Sequence, residues 1–201
     1  MLKESLLEES GYVTQQPSSG RWQRARWVAS PNQDARPKGE VSMIVVHAIS
    51  LPPGQFGGDD IEALFTNQLD PSAHPFFANI ATLRVSAHLL IRRDGECVQF
   101  VDTDRRAWHA GRSRWWDARL GEVRGNLNDF AVGIELEGDD DTPFTRAQYQ
   151  TLTDAVAWLK ECYPAIDETR IAGHAQVAPL RKSDPGPAFD WVYWRKLNTS
   201  H

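Results

Sequence analysis

The sequence predicts an α/β fold: a single domain with a mixed central β-sheet flanked by helices. Three observations carry this reading. Val41 to His47 (VSMIVVH) is a β-branched apolar run with the length of a buried strand, and the breaker sequence Leu51-Pro52-Pro53-Gly54 follows it. Asp94-Gly95 separates two apolar segments as a hairpin turn does. Tyr149, Leu152, Val156 and Leu159 recur at helical spacing. Strands mixed with helices and a hairpin imply a sheet containing both parallel and antiparallel neighbours.

The elements follow in chain order. Residues 1–20 read as a polar leader, expected to be partly disordered because Gly11 to Gly20 (GYVTQQPSSG) is rich in turn formers, and the folded domain is expected over 21–201. After the strand ending at His47, Asp59 to Leu69 reads as a helix. Asp59 or Asp60 caps it, and Ile61, Leu64 and Phe65 form its apolar stripe. Val85 to Arg92 and Glu96 to Val101 are the hairpin arms, joined by a tight turn whose two central residues tolerate positive φ. Ala131 to Glu137 is a further strand. Thr145-Arg146-Ala147-Gln148 is a capping box, in which the Thr and Gln side chains satisfy orphaned backbone donors, so a long helix runs to about Cys162. Asp190 precedes WVYWRKL and caps a last, short helix. There is no internal repeat.

Composition excludes several classes of function. With 201 residues, 41% of them hydrophobic, and 8 Trp, the chain can bury one sizeable core. A net charge of −5 offers no basic footprint for a nucleic-acid partner. The opening MLKESLLEES lacks the apolar centre of a secretory signal, and no apolar run is long enough to span a membrane. A cytoplasmic protein is therefore expected, with Cys97 and Cys162 as reduced thiols and no obligate protein partner.

The richest chemistry lies in GHAQVAPLRKSDPGP (173–187), which places an imidazole, an ammonium and a carboxylate on one short loop. Zinc takes nitrogen from His and oxygen from Asp, and a catalytic site needs three such ligands and one open position. His174 and Asp184 are candidates for two of them. Lys182 and Asp184 are two apart, so in extended chain both point one way. The third ligand is sought at the end of a rigid buried strand, which selects His47. Taken alone, a strand-terminal His is more often structural, and its pairing with the 174–184 loop is what lifts it. Among the other histidines, His88 shares the parity of Ser86 and Leu90 and reads as a packed imidazole, His109 after Trp108 is a candidate for lining a cleft, His74 precedes Pro75, and His201, at the last position, is set aside. Glu135 and Glu137 lie on one face of one strand, a spacing that does not choose between them.

Five ordered blocks carry a family resemblance: VVHAISLPPGQFGG (45–58), LRVSAHLLIRRDG (83–95), RAWHAG (106–111), NDFAVGIELEG (128–138) and GHAQVAPLRKSDPGPAFDW (173–191). They resemble the zinc amidases of the peptidoglycan-recognition type, and within that group the cytosolic 1,6-anhydro-N-acetylmuramoyl-L-alanine amidases of Gram-negative bacteria. The similarity runs from about Gly20 to Leu197. It implies the fold of that family, a Zn²⁺ cofactor held by His47, His174 and Asp184, Glu135 as the catalytic glutamate, and Lys182 beside the metal. It also implies an anhydromuropeptide substrate, cut at the amide between the lactyl group of the muramoyl sugar and L-alanine, in peptidoglycan recycling.

Substrate carboxylates are expected to meet arginines: Arg84 first, since it lies in a family-like block, then Arg124 or Arg112. Trp108 offers a flat face to a sugar ring or peptide stem, and His109 is a candidate for orienting the substrate. The chain departs from the family at Ala48, where Asn is usual after the first metal His, and at Ala175, where Cys is common. Segment 113–127 (SRWWDARLGEVRGNL) aligns poorly and is longer than expected, so its residues take no role by resemblance. This segment, with Gly121 and Gly125, and the 51–58 loop, with Gly54, Gly57 and Gly58, are candidate movable walls. Two rivals remain at this stage. An exported autolysin would need a signal that is missing, and a non-catalytic muropeptide-binding module could dispense with the five site residues found here.

Overall fold

The computed structural model describes residues 20–198. The leader, apart from Gly20, and His201 lie outside the described residues. The described chain contains β1 (Arg26–Trp27), β2 (Gln33–Ala35), β3 (Met43–Ile49), α1 (Asp60–Phe65), β4 (Leu89–Ile91), β5 (Cys97–Gln99), β6 (Arg105–Ala107), β7 (Arg114–Asp117), β8 (Glu122–Gly125), β9 (Ala131–Glu137), α2 (Arg146–Cys162), β10 (Ile171–Gly173), α3 (His174–Val177) and α4 (Trp191–Asn198).

Six strands form one sheet in the order β1-β5-β4-β9-β3-β10. β4, β9, β3 and β10 are mutually parallel, while β5 pairs antiparallel with β4 and parallel with β1, so the sheet is mixed as expected. β3 and β9 are the longest pair, in register from Met43↔Ala131 to Ile49↔Glu137. Being central, they are apolar on both faces. One face carries Ile44, Val46, Val132, Ile134 and Leu136 against Leu152, Val156 and Leu159 of α2 and Trp194 of α4. The other face holds two clusters. Leu90 and Val98 pack with Ile61, Leu64 and Phe65 of α1, and Met43, Val45, Ala131 and Ala172 pack with Leu127, Phe130 and Val177. His47 and Glu135 continue this second face towards the carboxyl ends of their strands.

Local chemistry explains the boundaries. The capping box is present: Thr145 Oγ1 accepts from Gln148 N at 3.1 Å, and Gln148 Oε1 accepts from Thr145 N at 3.0 Å. Asp190 Oδ1 caps the last helix by accepting from Tyr193 N at 2.8 Å. β9 occupies the expected residues. α1 is shorter than expected, ending at Phe65 instead of Leu69, because Asn67 turns left-handed (φ 62°) and its amide is locked against Asn32 by two hydrogen bonds of 2.9 and 3.0 Å. Asp59 stands at the cap position without a side-chain capping bond.

The hairpin turn also differs from the two-residue expectation. Arg92 N donates to Glu96 O at 2.8 Å and Gly95 N to Arg92 O at 2.9 Å, which makes a three-residue loop. Only Gly95 takes positive φ (92°), and Asp94 instead uses its carboxylate to accept from Glu96 N. Cys97 and Cys162 are free thiols, the first buried. No helix among the described residues is long and apolar enough to cross a membrane.

Candidate metal centre

Four sequence-distant residues meet where parallel strands end. His47 on β3 and Glu135 on β9 are register partners on one face. Gly173 of β10 pairs with Val46, so the next residue, His174, lies beside His47 as α3 begins. Gln176 fixes that turn by accepting from Gly173 N at 2.7 Å. Asp184 returns to the same point because its carbonyl accepts from Ala175 N at 2.8 Å. The carboxyl ends of parallel strands are where α/β sheets present binding sites.

Three donor atoms converge there. His47 Nδ1 and His174 Nδ1 are 2.9 Å apart, and Asp184 Oδ2 lies 3.1 Å from the first and 2.9 Å from the second. Among the described residues this is the group of His, Cys, Asp and Glu side chains that could hold a metal ion. Two nitrogens and one carboxylate oxygen make the donor set of a three-ligand zinc site, whose bonds are about 2.0–2.2 Å. Two imidazole nitrogens in contact can share only one proton, so lone pairs converge on the point where a cation would sit. The residues therefore fit zinc.

The electrostatics agree. Burial holds the His47 imidazole down at about 4, opposed by its hydrogen bond to Asp184 and helped by His174, so the ring is in the neutral form that a metal requires. Burial pushes the Asp184 carboxyl up, but hydrogen bonds with His174 and His47 outweigh it and hold the group below the ordinary carboxylate range. Glu135 is 9% exposed, and its Oε2 is buried without a partner among the described residues. Burial, then repulsion by Asp184, holds this carboxyl well above its ordinary range against the pull of Lys182.

Glu137 has a different fate. It is buried, and its oxygens accept from Gly57 N at 2.6 Å and Arg93 N at 3.1 Å, which ties the 51–58 loop and the hairpin to β9. Its carboxylate is thus held by the two loops.

The triad opens into a cavity of about 220 Å³, lined by Leu64, Phe65, Val85, Trp108, Glu135 and Lys182 besides His47, His174 and Asp184. Lys182 is exposed on its loop, beside the cavity. Arg84 is exposed between Leu83 and Val85, both of which line the cavity, and its own guanidinium rests on the carbonyls of Thr82 and Leu83. His109 turns inward, its Nδ1 3.0 Å from His47 Nε2.

Arg124 is not brought to the cavity. Its guanidinium is held by both oxygens of Glu40 at 2.8 Å and lies 3.7 Å over the Phe130 ring. Segment 113–127 is not a free wall either: it folds as the β7–β8 hairpin, and none of it lines this cavity. Nothing in the sequence marks the apolar wall of Leu64, Phe65 and Val85, because it joins a helix stripe to the start of a hairpin arm, and apolar side chains on such elements carry no chemical signal. Asn128, whose Oδ1 accepts from His109 N and Ala110 N, escaped it too. It lies inside a family-like block without a chemistry-bearing side chain to single it out.

Comparison with known proteins agrees with this geometry. Residues 37–187 match the family model of N-acetylmuramoyl-L-alanine amidase. The 1,6-anhydro-N-acetylmuramyl-L-alanine amidase AmpD of Escherichia coli (strain K12) is 56% identical over 174 residues, which cover 86% of this chain and 91% of the relative. The AmpD of Haemophilus influenzae is 47% identical, covering 83% and 88%. A crystal structure of a selenomethionine derivative of AmpD superposes with a TM-score of 0.84 at 54% identity, over 89% of this chain and 97% of the other. The E. coli amidase AmiD, solved in complex with anhydro-N-acetylmuramic acid-L-Ala-D-γ-Glu-L-Lys, gives a TM-score of 0.56 at 26% identity, over 84% and 58%. A strand-end imidazole, a loop that returns a second imidazole and a carboxylate to it, and near full-length similarity at more than half identity lead to one assignment: this chain belongs to the N-acetylmuramoyl-L-alanine amidase family, in its AmpD-type branch.

Proposed function

We propose that the chain is a zinc-dependent hydrolase of cytoplasmic anhydromuropeptides, cutting the amide between the lactyl group of 1,6-anhydro-N-acetylmuramic acid and L-alanine in peptidoglycan recycling. The observation that carries the reading is the convergence of His47 Nδ1, His174 Nδ1 and Asp184 Oδ2 beside the unpartnered Glu135 Oε2. Zinc, when bound by these three residues, supplies Lewis acidity and lowers the pKa of a water to about 7.

The chain's own groups do the rest. Glu135 takes the proton of the attacking water on its carboxylate and delivers it to the departing amine nitrogen of L-alanine. Burial suits it to both tasks, because a carboxyl held above its ordinary range has a proton affinity nearer the working pH. Attack puts negative charge on the former carbonyl oxygen, and the Lys182 ammonium at the cavity edge stabilises it. Trp108, with Leu64, Phe65 and Val85, gives the sugar and the start of the stem an apolar wall that excludes water. Arg84 at the rim is the cation for a stem carboxylate.

The test is release of peptide from an anhydromuropeptide, from the matching reducing-end muropeptide and from intact sacculi, each with and without zinc. Zinc-dependent cleavage is expected to be much faster for the anhydro form than for the reducing form, and to be nearly absent for sacculi. Equal kcat/KM for the two soluble forms, or efficient digestion of sacculi, would refute the recycling role and leave the amidase chemistry standing. Full activity in chelator-treated, metal-free protein would refute the zinc.

A further inference from the structure

We propose that the turn from Trp108 to Gly111 is the device that orients both metal imidazoles, with His109 as the positioning residue for His47 and Asn128 as the pin that holds the turn. The inference rests on the zinc reading above. An imidazole that ligates through Nδ1 carries its proton on Nε2 and needs an acceptor for it. His47 is 1% exposed, so water is not that acceptor. The atom within reach is His109 Nδ1, at 3.0 Å. His174 poses the same requirement, and its Nε2 lies 3.3 Å from the carbonyl of Ala110. Two successive residues of one turn thus receive the two ring protons.

The turn is itself tightly placed. One amide oxygen, Asn128 Oδ1, accepts from His109 N at 3.1 Å and Ala110 N at 2.8 Å. The Asn128 carbonyl in turn accepts from Arg36, a buried guanidinium that also donates to the carbonyls of Thr103 and Ala131. From the other side, Arg181 donates to the carbonyls of Ala110 and Arg112, each at 2.9 Å. Beneath His109 the strand has Gly133, where a Cβ would overlap the imidazole ring. The imidazole therefore rests directly on Gly133 of β9, a place that any side chain there would take.

His109 has a feature that a purely structural residue would lack. Accepting from His47 at Nδ1 puts its own proton on Nε2, and that buried atom has no partner among the described residues. An apolar ring of similar size would fill the space without an uncompensated donor. What the imidazole adds is the acceptor at Nδ1.

The experiment measures zinc affinity of the chelator-stripped full chain by competition with a chromogenic chelator, together with the visible spectrum of the Co²⁺-loaded protein. His109→Phe keeps ring volume and removes the acceptor, whereas His109→Asn keeps an acceptor near the Nδ1 position. His109→Phe is expected to weaken zinc binding by about 10–100-fold, the usual effect of losing such a partner, and to change the cobalt bands. His109→Asn should recover most of the affinity, and Asn128→Ala should weaken binding because both imidazoles lose their reference. Far-ultraviolet circular dichroism of the metal-free variants controls for the fold, and if His109→Phe does not fold, Asn128→Ala decides. Wild-type affinity and an unchanged cobalt spectrum in the folded variants would overturn the inference alone. A wild-type chain that takes up no zinc would overturn the reading of the site, and this inference with it.

Discussion

Glu135 and Glu137 share a strand and a face yet carry different chemistry. The difference lies in what surrounds each carboxylate. Glu137 is saturated by backbone donors from two loops, Gly57 N and Arg93 N, whereas Glu135 keeps one buried oxygen free inside the cavity. Glu135→Ala is expected to retain zinc and to lower kcat by about 10² to 10⁴, the usual contribution of a general acid or base. Glu137→Ala should leave turnover within a few fold but reduce stability by about 1–3 kcal/mol, since two loop N–H groups lose their charged, buried acceptor. Steady-state kinetics and urea unfolding of the two variants check this, and the reverse ranking would reassign the roles. Period-two spacing in the sequence could put both carboxylates on one face and go no further, because the donors that occupy Glu137 sit 80 and 44 residues away.

The hairpin between β4 and β5 has a closely specified turn. Gly95 takes a φ of 92°, and a Cβ there would lie 3.1 Å from Ala147 Cβ and 3.2 Å from both Ala147 O and Thr151 Oγ1 on α2. Gly95→Ala is therefore expected to destabilise the protein by at least about 1–2 kcal/mol, with kcat unchanged because Gly95 packs on α2, against the sheet face opposite His47 and Glu135. A shift in the urea midpoint without a change in kinetics would bear this out. At this scale the sequence was legible where a local signal existed. The Thr145–Gln148 box marked the start of α2, and β9 announced itself as an apolar run. β1, β2, β6 and β10 have two or three residues each and exist through distant partners, as Arg26 finds Val98 and Ile171 finds Ile44. Such strands leave no local pattern to read. The β7–β8 hairpin was hidden for another reason: Trp116 and Val123 face each other as a cross-strand pair but remain exposed, so there is no buried-to-solvent alternation to follow.

For the whole molecule, the core and the metal site are largely separate investments of sequence. Three apolar clusters, spread over both faces of the sheet, hold it to its helices by burial alone, so the fold has a core that needs no bound ion. Chelation is accordingly expected to abolish hydrolysis and leave the circular dichroism spectrum intact. Adding zinc at 100 times its Kd should then raise stability by about 2.7 kcal/mol, seen as a higher Tm. Unfolding on chelation would show that the metal is a structural staple. The α/β class and the site triad could both be read from the sequence, because a buried strand and a ligand-rich loop are compact signals. The placement of Arg124 could not, since Glu40, 84 positions away, is what claims it. The distances along the chain also bear on synthesis. His47 precedes His174 by 127 residues and Asp184 by 137, and β10 must dock on β3 before the three can meet. On the zinc reading, a chain that stops before Asp184 lacks one of the three donors, so competence arrives in one step, once Asp184 has been made and β10 has docked on β3.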